Sequence, residues 1–463
     1  MDRPPLIYRA VRQLIRLTLR FYFRRMELTG LDNVPPNGAV LFCGNHQNSL
    51  VDAMMIICFS GRDVRFAAAD VLFDNALLRF FLTKLQVVPI RRKQDHEGED
   101  IDNRSAFDAL FDVLGQGGAM GIFPEGLSHR ESDLSQFKTG PARLAFGTKA
   151  AHPDSPVYIV PCGLHYANPN RFRTSVLVRF GIPIEITNEA LAQWKAEERK
   201  TVRAQTDVLE AEIRGLTVTA DDWETIRLLD ATRRLYQPDH IAMAARVELA
   251  RRFNAVYPLV KSEPDIQRFL ERIERYVDLL DDLKLKDRDV RSFSQPTKRI
   301  WAAARLSVIT SLLTIPALIG APVHGPILAF VRWGGRRFSP RVDTVATTKV
   351  VAGLLLTLLV YGLLTTAAFY RWDVQTATWI GVALPLSGWA FVGWIYRVRS
   401  LLKISRLTLT AMVVGRGLLG RLATERQELV QLVDGLVSRY LPEDMGRLFA
   451  PISDREEGQD SET

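Results

Sequence analysis

The chain has 463 residues, enough for two or three domains, with 47% hydrophobic residues, a formal net charge of +8 and a pI near 9.4. That basic balance would suit nucleic acid, but no zinc-finger spacing or RNA-binding signature accompanies it, and much of the arginine flanks apolar segments, where anionic lipid headgroups are the natural counter-charge; no nucleic-acid partner is expected. Only Cys43, Cys58 and Cys162 are present, at spacings that suit neither a disulfide framework nor a zinc site, so a reducing compartment and no metal are expected.

Residues 1–26 read as a basic amphipathic helix. Arg9, Arg12, Arg16 and Arg20 recur at helical spacing, with Leu6, Ile7, Ala10, Val11, Leu14, Leu17 and Phe21 beside them, a composition that belongs at a bilayer surface and is too interrupted for a secretory signal. The apolar run Ala39 to Cys43 reads as a buried strand, broken by Gly44 and Asn45, with Ser49 capping a helix that continues through Ile57. His46 then stands at a strand end and Asp52 in the first turns of the helix. A carboxylate there can accept a hydrogen bond from one imidazole nitrogen and leave the other to take a proton from a hydroxyl nucleophile.

Further apolar segments follow at Val87 to Ile90, before Arg91 and Arg92, and at Gly118 to Phe123, before Pro124-Glu125-Gly126. Ser128, His129 and Arg130 come next, then Phe137-Lys138-Thr139-Gly140, a strand from Val157 through Pro161 to Gly163, and a late strand Ser175 to Phe180. A turn such as Pro124-Glu125-Gly126 exposes backbone N–H groups and cations able to hold a phosphate or an oxyanion. Alternating strand and helix patterns over 27–187 predict an α/β domain around a central sheet. From 188 to 300 the pattern is helical and charged, a connector in which Ile266, Phe269, Leu270, Ile273, Tyr276, Val277 and Leu280 repeat every three or four positions.

Residues 301–400 form a membrane region with three uncharged stretches, 306–331, 350–370 and 374–396. Arginine and lysine flank the first stretch on both sides and follow the third, whereas Arg371 between the second and third is balanced by Asp373. The last two stretches therefore read as a hairpin that crosses and returns. The first, interrupted by Pro316, Pro322 and Pro326, reads as a re-entrant or interfacial hairpin with His324 as a structural hydrogen-bonder. A mixed basic and apolar helical segment (401–452) and a disordered acidic tail (453–463) complete the chain.

The ordered set Asn45-His46 with Asp52, Val87 to Arg92, Phe123-Pro124-Glu125-Gly126 and Val157 to Gly163 resembles the glycerol-phosphate and lysophosphatidate acyltransferase family. Five residues separate His46 from Asp52 where that family has four. This spacing, the Ser128-His129 pair and Phe137-Lys138-Thr139-Gly140 are similar to the fungal-type glycerol-3-phosphate and dihydroxyacetone-phosphate acyltransferases. The resemblance implies an α/β acyltransferase domain with a central mixed sheet, followed by a helical connector and C-terminal transmembrane helices. It makes His46 the general base and Asp52 its orienting partner, and it assigns the acceptor phosphate to Arg91, Arg92, Glu125, Gly126, Ser128, His129 and Lys138, and acyl-chain packing to Pro161. It implies an acyl-CoA or acyl-carrier-protein donor, a glycerol-phosphate acceptor and no cofactor; the apolar stretches and their flanking charges add a lipid bilayer as partner and predict an integral membrane protein with its catalytic domain on the cytoplasmic side. Three alternatives stay open: a lysophosphatidate acceptor, a covalent route through Cys43, and an inactive membrane scaffold.

Overall fold

The computed structural model describes residues 4–91, 96, 104–131, 133–218, 223–238, 241–293, 296–414, 416–441 and 448–449. The acidic tail expected over 453–463 lies outside them. The chain forms two compact units: 1–222 with 242–251 and 339–350, and 223–241 with 252–338 and 351–463. The first therefore runs past the expected boundary at 187 and takes in two later pieces of chain.

The first unit is built on eight strands, β1 (Arg25–Thr29), β2 (Ala39–Gly44), β3 (Val64–Ala69), β4 (Val88–Ile90), β5 (Ala119–Ile122), β6 (Val157–Tyr166), β7 (Ser175–Phe180) and β8 (Ile184–Glu185). Their order is β1-β7-β6-β2-β5-β3-β4, with β8 also paired to β6. β6, β2, β5, β3 and β4 run parallel, while β7 and β8 pair with β6 antiparallel, so the sheet is mixed. β2 is buried along its whole length because both faces are covered: Val40 and Phe42 point into one apolar core, Ala39, Leu41 and Cys43 into the other, as the two-residue period of a strand requires.

Helices α1 (Leu6–Tyr22), α2 (Leu50–Phe59) and α3 (Ala76–Lys84) supply the first core; α4 (Arg104–Gly115), α5 (Gly140–Ala151) and α7 (Glu198–Leu216), which follows α6 (Asn188–Ala196), supply the second. α1 differs from the expectation. Tyr8, Val11, Ile15, Leu19 and Tyr22 form one buried stripe at spacings of three and four and dock on the domain's own core, while Leu6, Ile7, Leu17 and Phe21 form a second apolar stripe left exposed.

In the second unit the connector helix Pro264–Asp282 buries Ile266, Phe269, Ile273, Tyr276 and Leu280, as its periodicity required. Arg272 pairs with Glu425 at 3.0 Å and Arg426 with Asp287 at 2.8 Å, binding this helix and Asp287–Phe293 to Arg416–Tyr440. Among the described residues three helical segments, Ile300–Arg337, Val342–Arg371 and Val374–Arg406, are long and apolar enough to cross a membrane. The hairpin expected over 306–331 is corrected here: Pro296–Arg337 is one continuous helix with Pro316, Pro322 and Pro326 inside it. Each proline removes one helix hydrogen bond and bends the axis, but apolar helices pack closely enough to tolerate that loss. Gly320 shows how close the approach is, since a Cβ there would come 2.8 Å from the Ser387 carbonyl oxygen. His324 bonds the Gly320 carbonyl at 2.8 Å and the Tyr361 hydroxyl at 2.9 Å.

Candidate active site

The exit of β2 is clamped before the chemistry begins. The buried Asn45 amide donates to the Leu164 carbonyl at 3.0 Å and accepts from its N–H at 2.7 Å, fixing the chain to β6. His46 follows, its ring stacked on Phe123 with centroids 3.9 Å apart and planes within 4°. Its Nδ1 lies 3.0 Å from Asp52 Oδ2.

Asp52 is fully buried in the first turn of α2. Oδ2 also accepts from the Asn48 N–H at 2.7 Å, and Oδ1 accepts from the Tyr166 hydroxyl at 2.6 Å. An ionised carboxylate only accepts, so the His46 proton sits on Nδ1 and the lone pair on Nε2. Between His46 and Asp52, Ser49 has a φ of 48°, strained for a side chain with a Cβ. Ser49 occupies the N-cap position, but its side chain makes no cap bond; its N–H donates instead to Ser128 Oγ at 3.1 Å.

Glu125 joins the two loops. Its buried carboxylate accepts from the His46 N–H at 2.7 Å and the Ser135 N–H at 3.1 Å and is bonded to His129 Nε2, while the His129 N–H donates to the His46 carbonyl at 3.0 Å. The Glu125 hydrogen bond raises the His129 pKa above the usual imidazole value against the opposing effect of burial. Ser128 and His129, expected as phosphate ligands, thus spend their side chains on holding the loops together. Glu125 faces inward as an acceptor, and a carboxylate has no donor to offer an anion. The Gly126 N–H closes the turn on the Phe123 carbonyl at 3.0 Å, and Gly126, at φ +76°, packs under Lys138, whose Nζ would lie 2.5 Å from a Cβ there. Lys138 is exposed.

Phe42 and Phe66 both pair with Gly121, and Ala67 pairs with Val88, so His46, Glu125, Asp70 and Arg91 all lie just past the same row of the parallel strands, at the sheet's C-terminal rim. Arg91 is three strands from His46, about 14 Å at the usual strand spacing. Its Nε lies 3.6 Å from Asp70 Oδ2, and its guanidinium 3.3 Å from His96 Nδ1. Arg92 lies outside the described residues.

Pro161 is buried opposite Cys43, at the point where β6 changes partner from β8 to β7, a place in a sheet where a missing N–H is tolerated. Burial pushes the Cys43 and Cys162 thiols well above their usual range, which removes the thiolate that a covalent route would need. Tyr166, Asn48 and Ser135 were missed by sequence reasoning. Tyr166 is 114 positions from Asp52, and nothing in an apolar strand pattern marks its hydroxyl as a partner.

The acyltransferase family matches residues 25–165, and the glycerol-3-phosphate acyltransferase 2 C-terminal domain matches residues 228–337. Glycerol-3-phosphate O-acyltransferase 2 of Saccharomyces cerevisiae is 31% identical over 57% of this chain and 38% of its own length. Glycerol-3-phosphate O-acyltransferase 1 of the same yeast is 34% identical over 40% of this chain and 25% of its own. The chain therefore spans well under half the length of these relatives. The crystal structure of the 1-acyl-sn-glycerophosphate acyltransferase PlsC from Thermotoga maritima covers 45% of this chain and 78% of its own, with 18% identity and a TM-score of 0.34. Residues 25–165, the stretch that matches the acyltransferase family, hold His46 and the buried Asp52 at the rim of the mixed sheet.

Proposed function

We propose that the protein is a membrane-bound O-acyltransferase that moves a fatty acyl group from an acyl thioester to glycerol 3-phosphate or dihydroxyacetone phosphate. The observation that carries this is the His46 imidazole, held flat on Phe123 and protonated towards buried Asp52, so that Nε2 presents its lone pair at the rim of the sheet. The acceptor class follows from the yeast relatives named above, both glycerol-3-phosphate O-acyltransferases.

In this reading Nε2 takes the hydroxyl proton as the acceptor oxygen attacks the thioester carbonyl, and Asp52 stabilises the imidazolium. Collapse of the tetrahedral intermediate breaks the carbon–sulfur bond, and the proton on Nε2 passes to the departing thiolate. No enzyme nucleophile enters. Lys138, exposed beside the Gly126 turn, offers a cation for the acceptor phosphate. Acyl-CoA is the donor in this reading, with acyl-carrier protein as the second arm of the test.

The test is incubation of the purified full chain with acyl-CoA, or acyl-carrier protein, and each of three acceptors. Transfer to glycerol 3-phosphate or dihydroxyacetone phosphate is expected, with turnover in His46→Ala reduced about 10²- to 10⁴-fold and Asp52→Asn nearly as impaired. Transfer to lysophosphatidate alone would replace the proposed acceptor, and a His46→Ala protein of near wild-type turnover would remove the base.

A further inference from the structure

Tyr166 closes β6 one residue beyond the stretch that matches the acyltransferase family, and the reaction above leaves it without a task. Its hydroxyl reaches Asp52 Oδ1 at 2.6 Å across the sheet, between a tyrosine only 6% exposed and a carboxylate wholly buried. Antiparallel pairing with Val176 fixes its backbone, and the Phe23 ring, 5.8 Å away, fixes its own. Both carboxylate oxygens are therefore engaged: Oδ1 by the phenol, Oδ2 by the Asn48 N–H and by His46 Nδ1.

We propose that Tyr166 is the third member of the His46–Asp52 relay, a positioning residue that holds the carboxylate in plane with the imidazole and sets the proton affinity of His46. A phenol O–H bonded to one carboxylate oxygen draws negative charge away from the other. Take the O–H away, and the same carboxylate carries more charge opposite Nδ1 and stabilises the imidazolium more strongly. The other groups facing this relay are Glu125, which accepts from the His46 N–H, Arg130, whose charge acts on Asp52, and Tyr22 of α1, which faces both Tyr166 and Arg130. All three stay in place when only the phenol oxygen is removed.

The kinetic part of this inference rests on the proposed acyl transfer; the titration of His46 does not. The experiment follows the His46 ring by NMR in full-length, histidine-labelled protein, assigned with His46→Gln, in wild type and in Tyr166→Phe. The expected result is a midpoint about half to one pH unit higher in Tyr166→Phe, with kcat about tenfold lower, both KM values unchanged and the acidic limb of the pH–rate profile displaced upward with the midpoint. A second protein carries 3-fluorotyrosine at position 166, which keeps the volume and donates more strongly; its midpoint is expected to move down. If Tyr166→Phe does not fold, the fluorinated protein decides. His46 titrating at the wild-type pH in every folded variant overturns the proposal, as does a loss of kcat with no displacement of the limb. If the wild type acylates none of the three acceptors, the proposed function fails and the two midpoints still decide the role of Tyr166.

Discussion

Two cations at the rim differ in what already holds them. Arg91 stands against Asp70 and His96, so a phosphate must compete with a carboxylate for it, whereas Lys138 lies exposed over the Gly126 turn with no carboxylate partner among the described residues. Lys138→Ala is therefore expected to raise acceptor KM about tenfold with the donor KM unchanged, and Arg91→Ala to raise it less. Steady-state kinetics with both substrates varied will show this, and an acceptor KM unchanged in Lys138→Ala removes the lysine from the site. His129 carries a pH dependence of known sign. Its folded pKa is raised by Glu125, so its contribution to stability is complete below the ordinary imidazole value of 6.5 and is lost as pH rises through the higher folded value. Wild type should thus lose thermal stability relative to His129→Gln as pH rises above 6.5 and through the raised folded value. A constant difference in melting temperature across that range would show that the Glu125 bond is not linked to protonation.

At the level of single elements, α1 carries two apolar stripes that differ only in their partner. Leu19 is fully buried against the sheet, so Leu19→Ala is expected to destabilise the catalytic unit by about 2–5 kcal/mol, measured by denaturant unfolding. Leu17 and Phe21 stay exposed, Phe21 with its ring tilted against Phe172, and stand beside Arg9, Arg20 and Arg24. Leu17→Ser with Phe21→Ser should leave unfolding unchanged and weaken binding of the catalytic unit to anionic vesicles. Equal vesicle binding by the double variant would count against a lipid-facing stripe.

For the molecule as a whole, the packing of the apolar helices sets a condition that charge counting does not. Three successive crossings joined by short loops would leave the first and third helices parallel. Here Thr314 meets Trp394 at 3.1 Å and Gly320 meets Ser387, so Pro296–Arg337 and Val374–Val414 run antiparallel. The intervening helix Val345–Arg371 is then expected to lie along the membrane, with both ends on one face. Single cysteines at positions 336 and 373 should label from the same side of sealed vesicles, and cysteines at 305 and 406 from the other. Labelling of 336 and 373 from opposite sides would restore the hairpin of two crossings expected from the loop charges.

What the sequence determined by itself is local. A strand that ends at Gly44 and a helix that starts at Leu50 bring an imidazole and a carboxylate six positions apart into one turn, whatever the rest of the chain does. Strand β7 was legible at its observed bounds because its apolar run is short and clearly delimited. The rest of the site depends on strand order. Placing β6 and β5 on either side of β2 brings Tyr166 to Asp52 and Glu125 to the His46 N–H across 114 and 79 positions, and periodicity reports that a residue is buried without saying against what. The same limit divided α1 into a docked and an exposed stripe and left Pro316, Pro322 and Pro326 inside one helix. In each case the sequence specified a surface or a bend, and only the neighbour supplied by the tertiary structure decided its effect, because burial energy and a lost hydrogen bond both depend on what is packed opposite.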